Sequence, residues 1–543
     1  MTWVGLGVMV LGAACAGLPA TPLQSADEGG AHMQTLEGRI VPGDGRRRVI
    51  EIKGSTIVAV RERGAGEKVD VEADIITAGF VDAHAHPLGL GQARDELDLT
   101  GVASYREALQ QVAEAASDGT GWLIGRGWDQ NDWPDVPSGG WPRAMDLDPL
   151  TPGRPVLLRR IDGHALWLDH DALAASKIGP DTEDPPGGRI IRNSDGSPSG
   201  VLVDSAMDLV RPPAPTPDQW ARWLSLGTED MADVGLCGVH VMGASDAQVD
   251  AWRRLDREGR LPIRVWLYVD ADSTTARRLL AEGPWRGIRL QVVGIKVFAD
   301  GALGSRGAHL LAPYADEPET SGLVLTSRDA MAELTAEGLS VGLQVAVHAI
   351  GDAAVRSVLD AFGEARRREA DADVRLRVEH AQIVHPDDLP RFAQLQAIAS
   401  MQPTHATSDA PWAHERLGAD RLSRAYPWRS LHEAGAILAF GSDAPVEDPN
   451  PALGLWAAVT RTDPRTREPE GGFTPAERID LDLAVEAFTS GAATAVHEEA
   501  RLGRVQPGFV ADLTLWRVEQ EGPPTRWVAT HRMVEGDLIP LRR

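Results

Sequence analysis

Eight short apolar runs, at residues 79–83, 237–242, 263–269, 292–298, 343–348, 375–380, 397–402 and 436–441, constrain this chain more than any other feature. Strands buried on both faces read as near-continuous apolar runs, and most of these runs are separated by amphipathic, helix-like stretches. Eight strands alternating with helices predict an α/β fold, a (β/α)8 TIM barrel, in which functional groups collect at the C-terminal strand ends. The full 543 residues exceed what one core serves. Residues 34–76 and 500–543 alternate apolar and polar positions around turns, which predicts a small β-sandwich built from both chain ends. The barrel then spans 77–499. The gap of about 150 residues between the first two runs is too long for a βα loop and predicts an inserted subdomain at about 92–215.

The first run ends in Asp82-Ala-His84-Ala-His86, and in a strand that spacing turns both rings to one face, where they can grip one metal ion. Lys296, His348, His380 and Asp443 each end a later run. Two divalent ions about 3.5–4 Å apart hold a bridging water and polarise a carbonyl. Four histidines and one aspartate bring a single negative charge to two such ions, so a bridging anion is wanted. A carbamate formed by CO2 on the Lys296 amine supplies it, whereas an arginine stays protonated. Only four of the 54 basic residues are lysines, and Lys296 alone sits in an apolar run, where a bare ammonium is costly. An unmodified Lys296 paired with Asp300 or Glu379 is the alternative.

The expected arrangement puts His84, His86 and Asp443 on one ion and His348 and His380 on the other, with Lys296 between them and zinc as the favoured metal. Asp443 doubles as the proton carrier of the reaction. In the insert, His164 and Arg160 are candidates for steadying the substrate, and Trp128, Asp162 and, after the fourth run, Arg306 are candidates for contacting it. Trp128, Trp133 and Trp167 either line a pocket or pack the insert's own core. His240 either faces the site or is packed, and His309, His385, His405, His414 and His432 receive no role.

A net charge of -25 repels phosphate backbones and argues against nucleic acid, which leaves a small molecule as the expected partner. Two cysteines, Cys15 and Cys237, build neither a disulfide framework nor a thiolate zinc site. Residues 3–19 are apolar and end in small residues, so they read as an export signal, with Leu11-Gly-Ala-Ala-Cys15 as an imperfect lipoprotein site. Export to the periplasm, the exterior or a lipid anchor at Cys15 is therefore expected, and a cytoplasmic location if the stretch is no signal.

Gly79-Phe-Val-Asp-Ala-His-Ala-His86, Gly294-Ile-Lys-Val-Phe-Ala-Asp-Gly-Ala-Leu-Gly-Ser-Arg306, Val347-His-Ala-Ile-Gly-Asp352, Arg377-Val-Glu-His-Ala-Gln382 and Phe440-Gly-Ser-Asp-Ala-Pro445 together resemble the amidohydrolase superfamily. Within it the likeness is to the amidohydrolase-3 branch that includes N-substituted formamide deformylase, reinforced by Gly127-Trp-Asp129, Arg160-Ile-Asp-Gly-His164 and Asp184-Pro-Pro-Gly-Gly188 in the insert. The resemblance implies metal-dependent hydrolysis of a non-peptide C–N bond, with the six residues as ligands. A single-metal deacetylase or deaminase on the same barrel, and a non-catalytic metal- or ligand-binding protein, are the rival expectations.

Overall fold

The computed structural model describes residues 33–541 apart from 117–120, 162–163, 186–187, 371 and 521–525. The apolar leader with Cys15, and Asp162, lie outside the described residues. The eight apolar runs form eight strands: β1 (Phe80–Ala85), β2 (Leu236–Met242), β3 (Arg264–Asp270), β4 (Leu290–Phe298), β5 (Gln344–Ala349), β6 (Leu376–His380), β7 (Ala397–Met401) and β8 (Ile437–Phe440). They pair in chain order and in parallel, β1 to β2 through to β7 with β8. Nearly every residue of β1, β2, β6 and β7 is buried, as a strand wrapped by helices outside and side chains inside requires.

The seam between β8 and β1 closes just past the strand ends. The Asp443 amide donates to the His84 carbonyl at 2.7 Å, and the His86 amide to the Ala444 carbonyl at 2.7 Å. Asp82 locks the same seam, accepting from the Ser442 hydroxyl at 2.6 Å, the Ser442 amide at 3.0 Å and the His84 amide at 3.1 Å. A side chain at Gly441 would lie 2.5 Å from both Asp82 Oδ1 and the His84 nitrogen, so only glycine lets the two chains pass this closely.

Beyond β1, helix α1 (Pro87–Asp95) packs on helix α2 (Pro217–Asp233), which leads into β2. Thr216 and Gln219 form a reciprocal capping box at the start of α2. The helices touch backbone to backbone: a Cβ on Gly91 would fall 1.8 Å from the Trp223 carbonyl oxygen, and one on Gly227 1.8 Å from that of Pro87. Between them the chain builds a six-stranded sheet running from Leu97–Asp98 to Pro198–Asp204. Its core holds an aromatic cluster of Tyr105, Trp128, Trp133 and Trp167, with the three indoles 6.1–6.2 Å apart.

Both chain ends meet in a third, seven-stranded sheet, in the order Asp537–Pro540, Arg526–Val534, Leu513–Gln520, Val71–Ala78, Met33–Ile40, Arg47–Lys53 and Thr56–Arg61. Leu36, Ile50, Ile52, Ile76, Leu513 and Leu515 fill its core. A buried ion pair, Arg264 Nε to Asp512 Oδ2 at 2.6 Å, fastens it to the base of β3.

Candidate metal centre

The six residues singled out at the ends of the apolar runs converge at the C-terminal mouth of the barrel. Asp443 Oδ1 lies 3.5 Å from His84 Nε2 and 3.1 Å from His86 Nε2. The His84 and His380 rings are 4.7 Å apart, and those of His380 and His348 are 4.5 Å apart. Lys296 Nζ stands 5.1 Å above the Phe298 ring, which in turn lies 5.3 Å from His348. Backbone geometry helps the convergence: His380 has φ 72° and Asp443 φ 60°, a left-handed conformation that non-glycine residues adopt at a cost.

A buried polar network orients these groups from below. Arg377 is fully buried and donates to Glu379 Oε1 at 2.8 Å, the Ala83 carbonyl at 2.8 Å and the Ser400 hydroxyl at 3.0 Å. It also reaches the Tyr268 hydroxyl at 3.0 Å and His240 Nδ1 at 2.9 Å, which makes His240 part of this network. Burial by itself would raise the Glu379 carboxyl, but the Arg377 guanidinium, the hydrogen bond from His84 and the Lys296 amine together outweigh it and hold Glu379 well below the usual carboxylate range. Glu379 is thus an ionised acceptor, and the hydrogen bond of 2.7 Å between it and His84 Nδ1 has the imidazole as donor. His380 Nδ1 likewise donates to Gln402 Oε1 at 2.8 Å.

Those bonds decide which ring atoms face the centre. Burial, and then Lys296, lowers His84 to about 4 and His348 to about 3, and burial with its neighbours His348 and His84 takes His380 well below its ordinary value. At neutral pH these rings are uncharged, and with Nδ1 of His84 and of His380 carrying the proton, each presents a bare Nε2 lone pair. Asp443 is ionised too: burial pushes it up, but the imidazoles of His84, His86 and His380 win and hold it far down. His84 Nε2 and Asp443 Oδ1 are therefore two acceptors facing each other across 3.5 Å, an arrangement that repels unless a cation stands between them.

Two further atoms fit the same need. Among the described residues the Lys296 amine, 2% exposed, has no hydrogen-bond partner, and burial lowers it to about 8, so an appreciable share is the free amine. His348 Nε2 is also buried without a hydrogen bond among the described residues, 3.6 Å from Asp300 Oδ1. Asp300 itself is a structural latch, accepting from the amides of His309, Ile350 and Gly351 at 2.8–3.0 Å and so tying together the loops after β4 and β5. The donor set of imidazoles, one carboxylate and one amine fits a divalent metal.

The other expected site residues lie elsewhere. Trp128 is a correction: it is 0% exposed, gives its indole N–H to the Leu158 carbonyl at 2.9 Å and packs the insert's core, because three large aromatic rings bury more area against one another than a pocket wall would. Arg160 donates to Gln130 Oε1 and Asp129 Oδ1, both at 2.8 Å, and the largely exposed His164 pairs with Asp204 at 2.9 Å, so both are engaged by the insert's own residues rather than by the six. Arg306, a candidate for contacting the substrate, is held by Asp316 at 2.8 Å and Glu317 at 3.1 Å within its own loop. His405 was given no role by the sequence, yet its Nε2 lies 3.8 Å from Asp443 Oδ2 and its ring stacks 6.1 Å from His380. A cavity of about 830 Å³ opens next to the segment that follows Asp443, lined by Pro445 and Val446, Gly89 of α1, Thr404 of the helix after β7 and Arg126 of the insert, and by none of the six.

Residues 67–531 match the amidohydrolase family. The chain belongs to that family. Among relatives, YtcJ of Bacillus subtilis (strain 168) is 33% identical over 461 residues, 83% of this chain and 85% of its own. N-substituted formamide deformylase of Arthrobacter pascens is 26% identical over 536 residues, 89% and 91% of the two chains. Among solved structures, an uncharacterized metal-dependent hydrolase from Pyrococcus furiosus superposes with a TM-score of 0.74 at 28% identity, covering 89% of this chain and 98% of that one. As an amidohydrolase the chain is a hydrolase.

Proposed function

We propose that this amidohydrolase cleaves a non-peptide, amide-like C–N bond of a small organic substrate with the help of two divalent metal ions, zinc by preference. The observation that carries the reading is the pair of facing acceptors, His84 Nε2 and Asp443 Oδ1, beside an unpartnered buried amine at Lys296. In this reading His84, His86 and Asp443 would hold one ion and His348 and His380 the other, and the Lys296 amine, carbamylated by CO2, would supply the anion that two +2 charges require. Such ions, when bound, lower the pKa of a water towards neutrality and polarise a carbonyl.

The chain's own groups divide the remaining work. Glu379 and Gln402 keep the His84 and His380 rings in one tautomer, with Nε2 toward the centre. Asp443 Oδ1 is turned to His84 and His86, which leaves Oδ2 to take a proton from the attacking water and hand it to the departing nitrogen. The new bond is C–O, the broken bond is C–N, and the products are a carboxylic acid and an amine. The neighbouring cavity has the size of a small-molecule site. The likeness to N-substituted formamide deformylase supports a substrate with a short acyl group on a substituted nitrogen.

A panel of N-formyl, N-acetyl and cyclic amides, incubated with the purified protein with and without added zinc, tests the reading. Metal-dependent release of amine from at least one class is expected. Metal bound while every amide stays intact would favour a binding protein instead.

A further inference from the structure

None of the six ligands of the proposed site comes from β7, yet that strand leads through Gln402-Pro-Thr-His405 straight to the centre. His405 lies with its Nε2 buried, 3.8 Å from Asp443 Oδ2, too far for a hydrogen bond. Neither of its ring nitrogens makes a hydrogen bond among the described residues. A buried ring nitrogen left without a partner is costly, so a group so placed is kept for a partner that arrives.

That partner is a metal ion or an oxygen of the substrate. With His380 and Asp443 the ring forms a group close enough to hold a cation, and it stacks beside His380 at an interplanar angle of 13°, centroids 6.1 Å apart. The six residues of the proposed site already supply ligands for both ions, which leaves His405 Nε2, 3.8 Å from Asp443 Oδ2, to meet the substrate.

We infer that His405 is a catalytic residue, whose Nε2–H donates a hydrogen bond to the substrate's carbonyl oxygen and strengthens it as that oxygen becomes anionic during attack. No bond other than this hydrogen bond forms or breaks at His405. The inference rests on the hydrolytic reading above and adds a second electrophilic contact to it. It also gives the chain a way to select an oxygen-bearing acyl group whichever metal is loaded.

The test uses the zinc-loaded full chain, its His405→Ala and His405→Gln variants, and the panel amide that the unsubstituted protein cleaves fastest. Metal content of all three is measured alongside kcat and KM. In His405→Ala, kcat falls about 10²–10³-fold, as for loss of one oxyanion donor, KM moves less than about threefold and metal content is unchanged. His405→Gln, whose amide N–H reaches a similar point, regains at least about tenfold of that kcat. Metal lost together with activity would make His405 a ligand and overturn the inference, as would an unchanged kcat, a defect confined to KM, or a Gln variant no better than Ala. No turnover of any panel amide by the unsubstituted protein would instead sink the hydrolytic reading, and this inference with it.

Discussion

Lys296 and Arg377 show, within a single barrel, two ways of burying a cation. Arg377 is fully buried but spends its N–H groups on Glu379, Ser400, Tyr268, His240 and a carbonyl, so its charge is matched where it stands. Replacing it with methionine leaves the buried Glu379 carboxylate with only its bond to His84, and is expected to cost about 3–5 kcal/mol in denaturant unfolding, as for other broken buried pairs. An unchanged unfolding midpoint would show the network to be incidental. Lys296 has no such matching, and its free amine is the reactive form for CO2. Lys296→Ala is expected to lose activity and most bound metal, with partial return on adding millimolar formate or acetate, and Lys296→Arg to be equally inactive. Wild-type turnover in either variant would exclude the bridging role.

At the scale of elements, the strands were legible because burial on both faces leaves an apolar run whatever the rest of the chain does, and each of the eight runs became a barrel strand. Residues that end such runs are also legible, since a strand end in this architecture points at the mouth. His405 was not, because it sits beyond β7 inside the short helix Pro403–Asp409, where no strand periodicity reports its direction. Arg377 and Glu379 carry a signal that the reading passed over: two charges at i and i+2 within one buried strand face the same way and must pair or coordinate. Trp128 was misplaced because aromatic content alone does not tell a pocket wall from a packed core. The α1–α2 contact was invisible in the same way, since it depends on two glycines 136 positions apart in the chain. Gly227→Ala would press its methyl into the Pro87 carbonyl and push α1, and with it the chain after His86, away from the barrel. Thermal unfolding should show a loss of about 1–3 kcal/mol or more, with weaker metal retention, and a neutral substitution would refute this close packing.

Across the whole molecule, three sheets serve one site. The barrel supplies the cluster of six residues, the insert brings Arg126 to the cavity beside Pro445 and Val446, and the terminal sheet is tied to the base through Arg264 and Asp512. Metal analysis of the purified full chain after removal of loosely held ions tests the proposed metal centre most directly. About two equivalents of divalent metal per chain, falling together with activity on exhaustive chelation and returning with added zinc, are expected. Full activity with one equivalent would remove the bridged pair, and full activity with none would contradict the metal centre altogether.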